Sequence, residues 1–219
     1  VPQIVYYFSS YAELVKNNEI EIGDKINVVV PTGNFGNILA AYYAKEMGLP
    51  IAKFICASNE NNVLTDFIKT GVYNKNRDFH TTISPSMDIL ISSNLERFLY
   101  DLTGCDDKLV SEWMKELNTN GSYEVSADVK AKMQEMFTAG CCDDAETMAT
   151  IKSVRLNMIM LLILTLPLQS LFTISMLLKQ ATQQRQLLHQ LQVRSSLIRV
   201  FLLRLRITMQ LSVKTNLLY

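Results

Sequence analysis

Five residues have the types and spacing to hold an anion: Gly33, Asn34, Phe35, Gly36 and Asn37. They lie between a β-branched run and an Ala-rich run, where a strand would feed a helix. The first N–H groups of a helix lack intrahelical acceptors and sit at the positive end of its dipole, so aligned donors there stabilise an anion. Glycines let the backbone approach such a group closely and reach positive φ where a concave nest requires it. The chemistry on offer is phosphate binding. A G-x-x-G at this position also serves as a tight turn, and the spacing alone leaves both readings open. No Gly-Lys-Ser/Thr follows, so the loop is not a P-loop, and with only Gly33 and Gly36 it does not match G-x-G-x-x-G.

Other reactive residue types are sparse. His80 and His189 are the two imidazoles, and neither has a Cys, His or carboxylate at ligand spacing, so a His-based metal site or triad is not expected. Cys56, Cys105, Cys141 and Cys142 show no C-x-x-C spacing and read as reduced thiols, which fits a cytosolic, reducing setting. Asn94 and Arg97 have phosphate-binding chemistry. The competing reading, which the sequence favours, makes Ser93 or Asn94 a helix cap and Arg97 a surface partner. Asp88 reads as a turn or capping residue, and Trp113 with Leu109, Met114 and Leu117 as core packing. His80 falls in a polar loop, 73–82, and is expected to be exposed; Lys16, Lys25, Lys45 and Lys53 read as solvated surface lysines.

The elements that must position the loop follow from periodicity. Apolar residues Val5, Phe8, Tyr11, Leu14 and Val15 predict a helix over 5–15. The run at 25–31 is β-branched and ends at Pro31, which predicts a buried parallel strand. An Ala-rich helix is predicted over 38–47, closed by Gly48-Leu49-Pro50, and a second strand over 51–57. Strand, glycine loop, helix and strand make a βαβ unit. Further helices are predicted at 63–70, 95–102, 108–118, 127–137 and 143–154, and the class is α/β.

The composition breaks in two. Residues 1–150 hold all 21 acidic residues against 12 basic ones, whereas 151–219 hold nine basic residues and no acid. All eight glycines lie at or before Gly140, while 19 of the last 69 residues are Leu. A folded domain of that length without Asp, Glu or Gly lacks ordinary cap and turn residues. The first part is acidic and has no basic runs, which argues against a nucleic-acid partner. The opening residues carry no charged n-region and no initiator Met, and read as a chain entered partway through, without a signal peptide.

Three stretches of this sequence resemble one family. VPTGNFGNILAAYYAKEMGLP (30–50), PQIVYYFSSY (2–11), and SPSMDI (84–89) with SSNLER (92–97) are similar to the threonine synthases, pyridoxal-phosphate enzymes of the tryptophan-synthase-β fold type. The resemblance spans 1–154 and implies a parallel sheet flanked by helices. It implies that Gly33, Asn34, Phe35, Gly36 and Asn37 contact the phosphate of pyridoxal 5'-phosphate. It also implies conversion of O-phosphohomoserine and water to threonine and phosphate, with the Schiff-base lysine in a motif upstream of the loop. The chain is therefore expected to be a fragment lacking that motif, with no catalytic residue of its own and no turnover alone.

Residues 155–219 admit two readings. The stretch 158–178 is apolar enough for a transmembrane helix followed by basic residues, which would make the protein a membrane-anchored α/β head. The alternative is a shifted reading frame. One codon choice for 163–169 regroups, after a shared one-base offset, to DPHTAVA, and one for 189–197 regroups to ASTASPFKF. Both resemble motifs that end threonine synthases. The expected organisation is a cofactor-binding fragment, 1–154, and a non-native frame-shifted tail, 155–219. A non-catalytic phosphate-binding module is the remaining alternative.

Overall fold

A computed structural model describes residues 2–158, with side chains through Lys152. The expected membrane span and shifted frame fall almost wholly outside the described residues.

The chain opens with helix α1 (Pro2–Lys16). Its buried residues Tyr7, Ser10, Tyr11 and Leu14 recur at helical spacing. Of the expected face, Tyr11 and Leu14 are buried and Phe8 and Val15 pack on the core; Val5 departs from it at 63% exposed, and Tyr7 is buried instead. The Tyr11 hydroxyl donates to the carbonyls of Glu21 and Asp24 and accepts from the Gly23 N–H, tying the next loop to the helix.

Strand β1 (Ile26–Pro31), helix α2 (Gly36–Glu46) and strand β2 (Ile51–Ser58) form the expected βαβ unit, with β1 and β2 parallel and Val30 opposite Cys56. α2 buries Ile38, Leu39, Ala40, Ala41, Tyr42 and Ala44, nearly all round, which its small residues permit because it lies between α1 and the sheet. Beyond it come α3 (Val63–Thr70), β3 (Val72–Asn74), a 3-10 turn (Pro85–Met87), α4 (Leu95–Leu102), α5 (Asp107–Asn120), β4 (Ser122–Glu124), α6 (Ala127–Met136), β5 (Phe137–Cys141) and α7 (Asp144–Met158).

Three of these elements depart from the sequence expectation. β5 pairs parallel with β2, giving the order β1-β2-β5. Its sequence, FTAGC, carries one β-branched residue, so the strand is specified by its partner and by Phe137, which packs on Phe35, Phe54 and Phe98. β3 and β4 form a separate antiparallel ribbon. Each follows a helix closed by a left-handed glycine, Gly71 after α3 and Gly121 after α5. Tyr73 on β3 stacks on Tyr123 at 5.3 Å, and Trp113 stacks on Tyr123 at 6.1 Å, so Tyr73 belongs to the core and not to the polar loop.

Two expected surface lysines are bonded. Lys45 donates to the Ile51 carbonyl and lies 6.0 Å from the Phe54 ring centroid. Lys53 donates to the carbonyls of Gln134, at 3.2 Å, and Glu135, where the end of α6 presents unpaired acceptors. His80 is exposed, and Trp113 with Leu117 is buried, as expected.

Candidate anion-binding site

The loop leaves the sheet at the C-terminal end of β1. The Thr32 N–H donates to the Ala57 carbonyl at 2.8 Å, the last rung beside β2, and its hydroxyl turns back to the Val30 carbonyl. In open parallel sheets this end of the strands is where ligands bind.

Gly33 and Gly36 both have negative φ, and the left-handed residue of the loop is Phe35, at φ 60. A non-glycine residue in that conformation costs on the order of 1 kcal/mol. The Phe35 ring offsets the cost: it is 1% exposed and lies 5.5 Å from the Phe98 ring and 5.8 Å from Phe137. Phe35 is the N-cap of α2 and gives that helix no side-chain cap. The first N–H groups of α2 are therefore left for an external acceptor.

The two glycines act by close approach. A Cβ on Gly33 would stand 3.4 Å from the Met87 Cα and 3.6 Å from the Ser86 carbonyl oxygen; one on Gly36 would stand 3.3 Å from Asn94 Nδ2. The SPSMDI and SSNLER stretches are thus packed directly on the loop. Ser92 Oγ donates to the Gly33 carbonyl at 2.9 Å. Asn94 Nδ2 donates to the Asn34 carbonyl at 2.8 Å, joined by the Asn94 N–H at 3.3 Å. Tyr7 Oη donates to Asn37 Oδ1 at 2.6 Å, fixing that side chain from α1.

Asn94 thus corrects one expectation. It occupies the N-cap position of α4 but makes no side-chain cap; its amide reaches across to the loop, and its Oδ1 accepts from Arg97. Ser93 does not take the cap position either. The gain is a second and shorter bond to the Asn34 carbonyl, beside that from the Asn94 N–H, in place of a local cap on an exposed helix end.

Beside the loop, at the end of β2, stands a second polar cluster that sequence reasoning missed. Asp88 Oδ1 accepts from Asn59 Nδ2 at 2.6 Å, Thr82 Oγ1 at 2.7 Å and Asn61 Nδ2 at 3.0 Å, while Oδ2 accepts from the Thr82 N–H at 2.9 Å. Asn59 also donates to Thr82 and Ser84. Asn59, Asn61, Thr82 and Ser84 are all buried. With four donors on it, Asp88 acts as a structural acceptor at the C-cap of the 3-10 turn, which agrees with its turn reading. The cluster anchors the segment whose backbone covers Gly33.

Tyr73 joins the two halves. Its hydroxyl accepts from the Ser92 N–H at 2.8 Å and donates to the Leu90 carbonyl at 3.0 Å. Burial pushes this phenol up to about 12, so it stays protonated and keeps donating. Burial likewise pushes the Cys56 thiol, inside β2, up to about 12.

The donor set fits a phosphate group: uncapped helix N–H groups, a left-handed residue shaping the turn and, among the described residues, no carboxylate bonded to the loop. Among the described residues no helix is long and apolar enough to cross a membrane.

No family model matches the chain. Human threonine synthase-like 1 is 49% identical over 154 residues, covering 70% of this chain and 21% of that protein. The threonine synthase of Saccharomyces cerevisiae is 42% identical over 161 residues, covering 69% of this chain and 31% of that protein. The solved structure of pyridoxal-phosphate-bound threonine synthase from Brucella melitensis superposes with a TM-score of 0.75 at 37% identity, over 82% of this chain and 37% of that one. The chain therefore spans less than a third of these two relatives. Over the matched stretch, its sequence and its parallel sheet flanked by helices belong with the threonine synthases.

Proposed function

We propose that residues 33–37 hold the phosphate of pyridoxal 5'-phosphate and that the protein is a piece of a threonine synthase, which forms threonine and phosphate from O-phosphohomoserine and water. The observation carrying this reading is the uncapped start of α2 behind a left-handed Phe35, in a chain 42% identical to a yeast threonine synthase over 161 residues. When bound, pyridoxal phosphate supplies an electron sink for charge developing on a substrate carbon.

The residues of this chain do the holding. The N–H groups of the loop and of the first turn of α2 receive the phosphate oxygens, and the buried Phe35 ring keeps the turn in one conformation. Tyr7 holds Asn37 by its side-chain oxygen, which leaves the Asn37 Nδ2 as a further donor. The intact product of the gene, supplied with pyridoxal phosphate, should release phosphate and form threonine from O-phosphohomoserine in equal amounts. Cysteine synthesis or threonine deamination by that product would contradict the assignment.

The same reading divides the chain into a cofactor-binding segment, 1–154, and a tail, 155–219, translated from a shifted frame. The 154-residue span of similarity to the human relative and the acid-free composition of the tail support it. The nucleotide sequence around codon 155 tests it: DPHTAVA and ASTASPFKF should appear in the neighbouring frame, and their absence there would overturn the division. A cytoplasmic setting is proposed with it, supported by the free thiols of Cys56, Cys105, Cys141 and Cys142.

A further inference from the structure

We propose that Ser92 and Asn94 are positioning residues of the anion loop, each fixing one peptide plane so that the N–H on its far side faces the phosphate. The proposal rests on the reading that residues 33–37 hold a phosphate.

A trans peptide unit is planar, with the carbonyl of one residue and the N–H of the next pointing in opposite directions. Ser92 Oγ holds the Gly33 carbonyl at 2.9 Å, so the Asn34 N–H is turned away from Ser92. Asn94 holds the Asn34 carbonyl with two donors, at 2.8 and 3.3 Å, so the Phe35 N–H is turned away from Asn94. Two consecutive planes are thereby set. Without these donors both carbonyls are free to rotate toward the mouth of the loop, where they would oppose an anion.

The supports of the two residues point the same way. Ser92 is buried, and its own N–H is held by the Tyr73 hydroxyl at 2.8 Å, so its position is fixed from the β3 side. Asn94 approaches because Gly36 lacks a Cβ; one there would stand 3.3 Å from its amide nitrogen. The spacing S-x-N presents two donors to two successive carbonyls, while neither side chain is needed to cap α4.

Calorimetric titration of the full chain with inorganic phosphate tests this, together with the amide nitrogen shifts of Asn34 and Phe35. Ser92→Ala and Asn94→Ala should each weaken phosphate binding about tenfold, the effect of losing one well-formed hydrogen bond. Ser92→Thr, which keeps the hydroxyl, should stay within about threefold of the unsubstituted chain. In the two weakened variants the Asn34 or Phe35 amide should shift before any phosphate is added. Asn94 is only half-buried, so Asn94→Ala decides alone if Ser92→Ala fails to fold. Unchanged affinity in Asn94→Ala, or equal loss in Ser92→Thr and Ser92→Ala, overturns the positioning role and leaves the phosphate reading standing. No binding by the unsubstituted chain overturns both.

Discussion

The loop after β1 and the polar cluster after β2 stand at the ends of neighbouring strands and are built by opposite means. In the loop, Ser92 and Asn94 take up the Gly33 and Asn34 carbonyls, and no side chain caps the start of α2. In the cluster, side-chain amides and hydroxyls converge on one carboxylate until Asp88 has four donors. One arrangement is left open for a ligand and the other is closed. An anion site needs both, because a donor loop keeps its shape only where the segment covering it is anchored.

Substitutions should separate the two roles. The largest effect belongs to Phe35→Ala, which removes a ring packed on Phe98 and Phe137 and should cost about 3–5 kcal/mol in urea unfolding. A loss below about 1 kcal/mol would mean that the ring does not hold the left-handed turn.

High pH should act next, through the groups behind the loop. Tyr73 has a folded value near 12 against an ordinary 10, so its contribution is fully present below pH 10 and is lost as pH rises toward 12. Cys56, raised from 9 to about 12, acts in the same direction from pH 9 upward. Unfolding free energy should hold level to about pH 9 and then fall steadily as pH rises toward 12. Tyr73→Phe should make that descent shallower; an unchanged slope would remove Tyr73 from the account.

Asn59→Ala should cost about 1–3 kcal/mol, since it strips Asp88, Thr82 and Ser84 of a shared donor. Its effect on phosphate affinity should follow from loosening of the covering segment, so hydrogen exchange should rise across 82–88 before it rises in α2. The smallest change is Lys53→Ala, which removes a donor to the exposed end of α6 and should cost less than about 1 kcal/mol in the same unfolding assay.

The same contrast explains what could be read from the sequence. The strand, loop and helix at 26–46 were legible because their determinants are local: a β-branched run, a glycine pair and an Ala-rich stretch. Helices α3 and α4 begin and end where periodicity places them. The resemblance to threonine synthases picked out the loop more sharply than its spacing did. The buttress was not legible, since Asn94 reaches Asn34 across 60 positions and Asn59 reaches Asp88 across 29. A local rule assigned Asn94 to capping, and a distant carbonyl won. Phe35 was misjudged in a related way: positive φ was expected of a glycine, but burial of the ring lets phenylalanine hold it.

The most direct measurement follows the amide resonances of Asn34, Phe35, Gly36, Asn37 and Ile38 while the full chain is titrated with pyridoxal 5'-phosphate, and separately with pyridoxal. The phosphorylated compound should shift these five amides to saturation, inorganic phosphate should compete with it, and pyridoxal should leave them in place. Saturation elsewhere in the chain with these amides unmoved, or equal shifts from both compounds, would contradict a phosphate site at the start of α2.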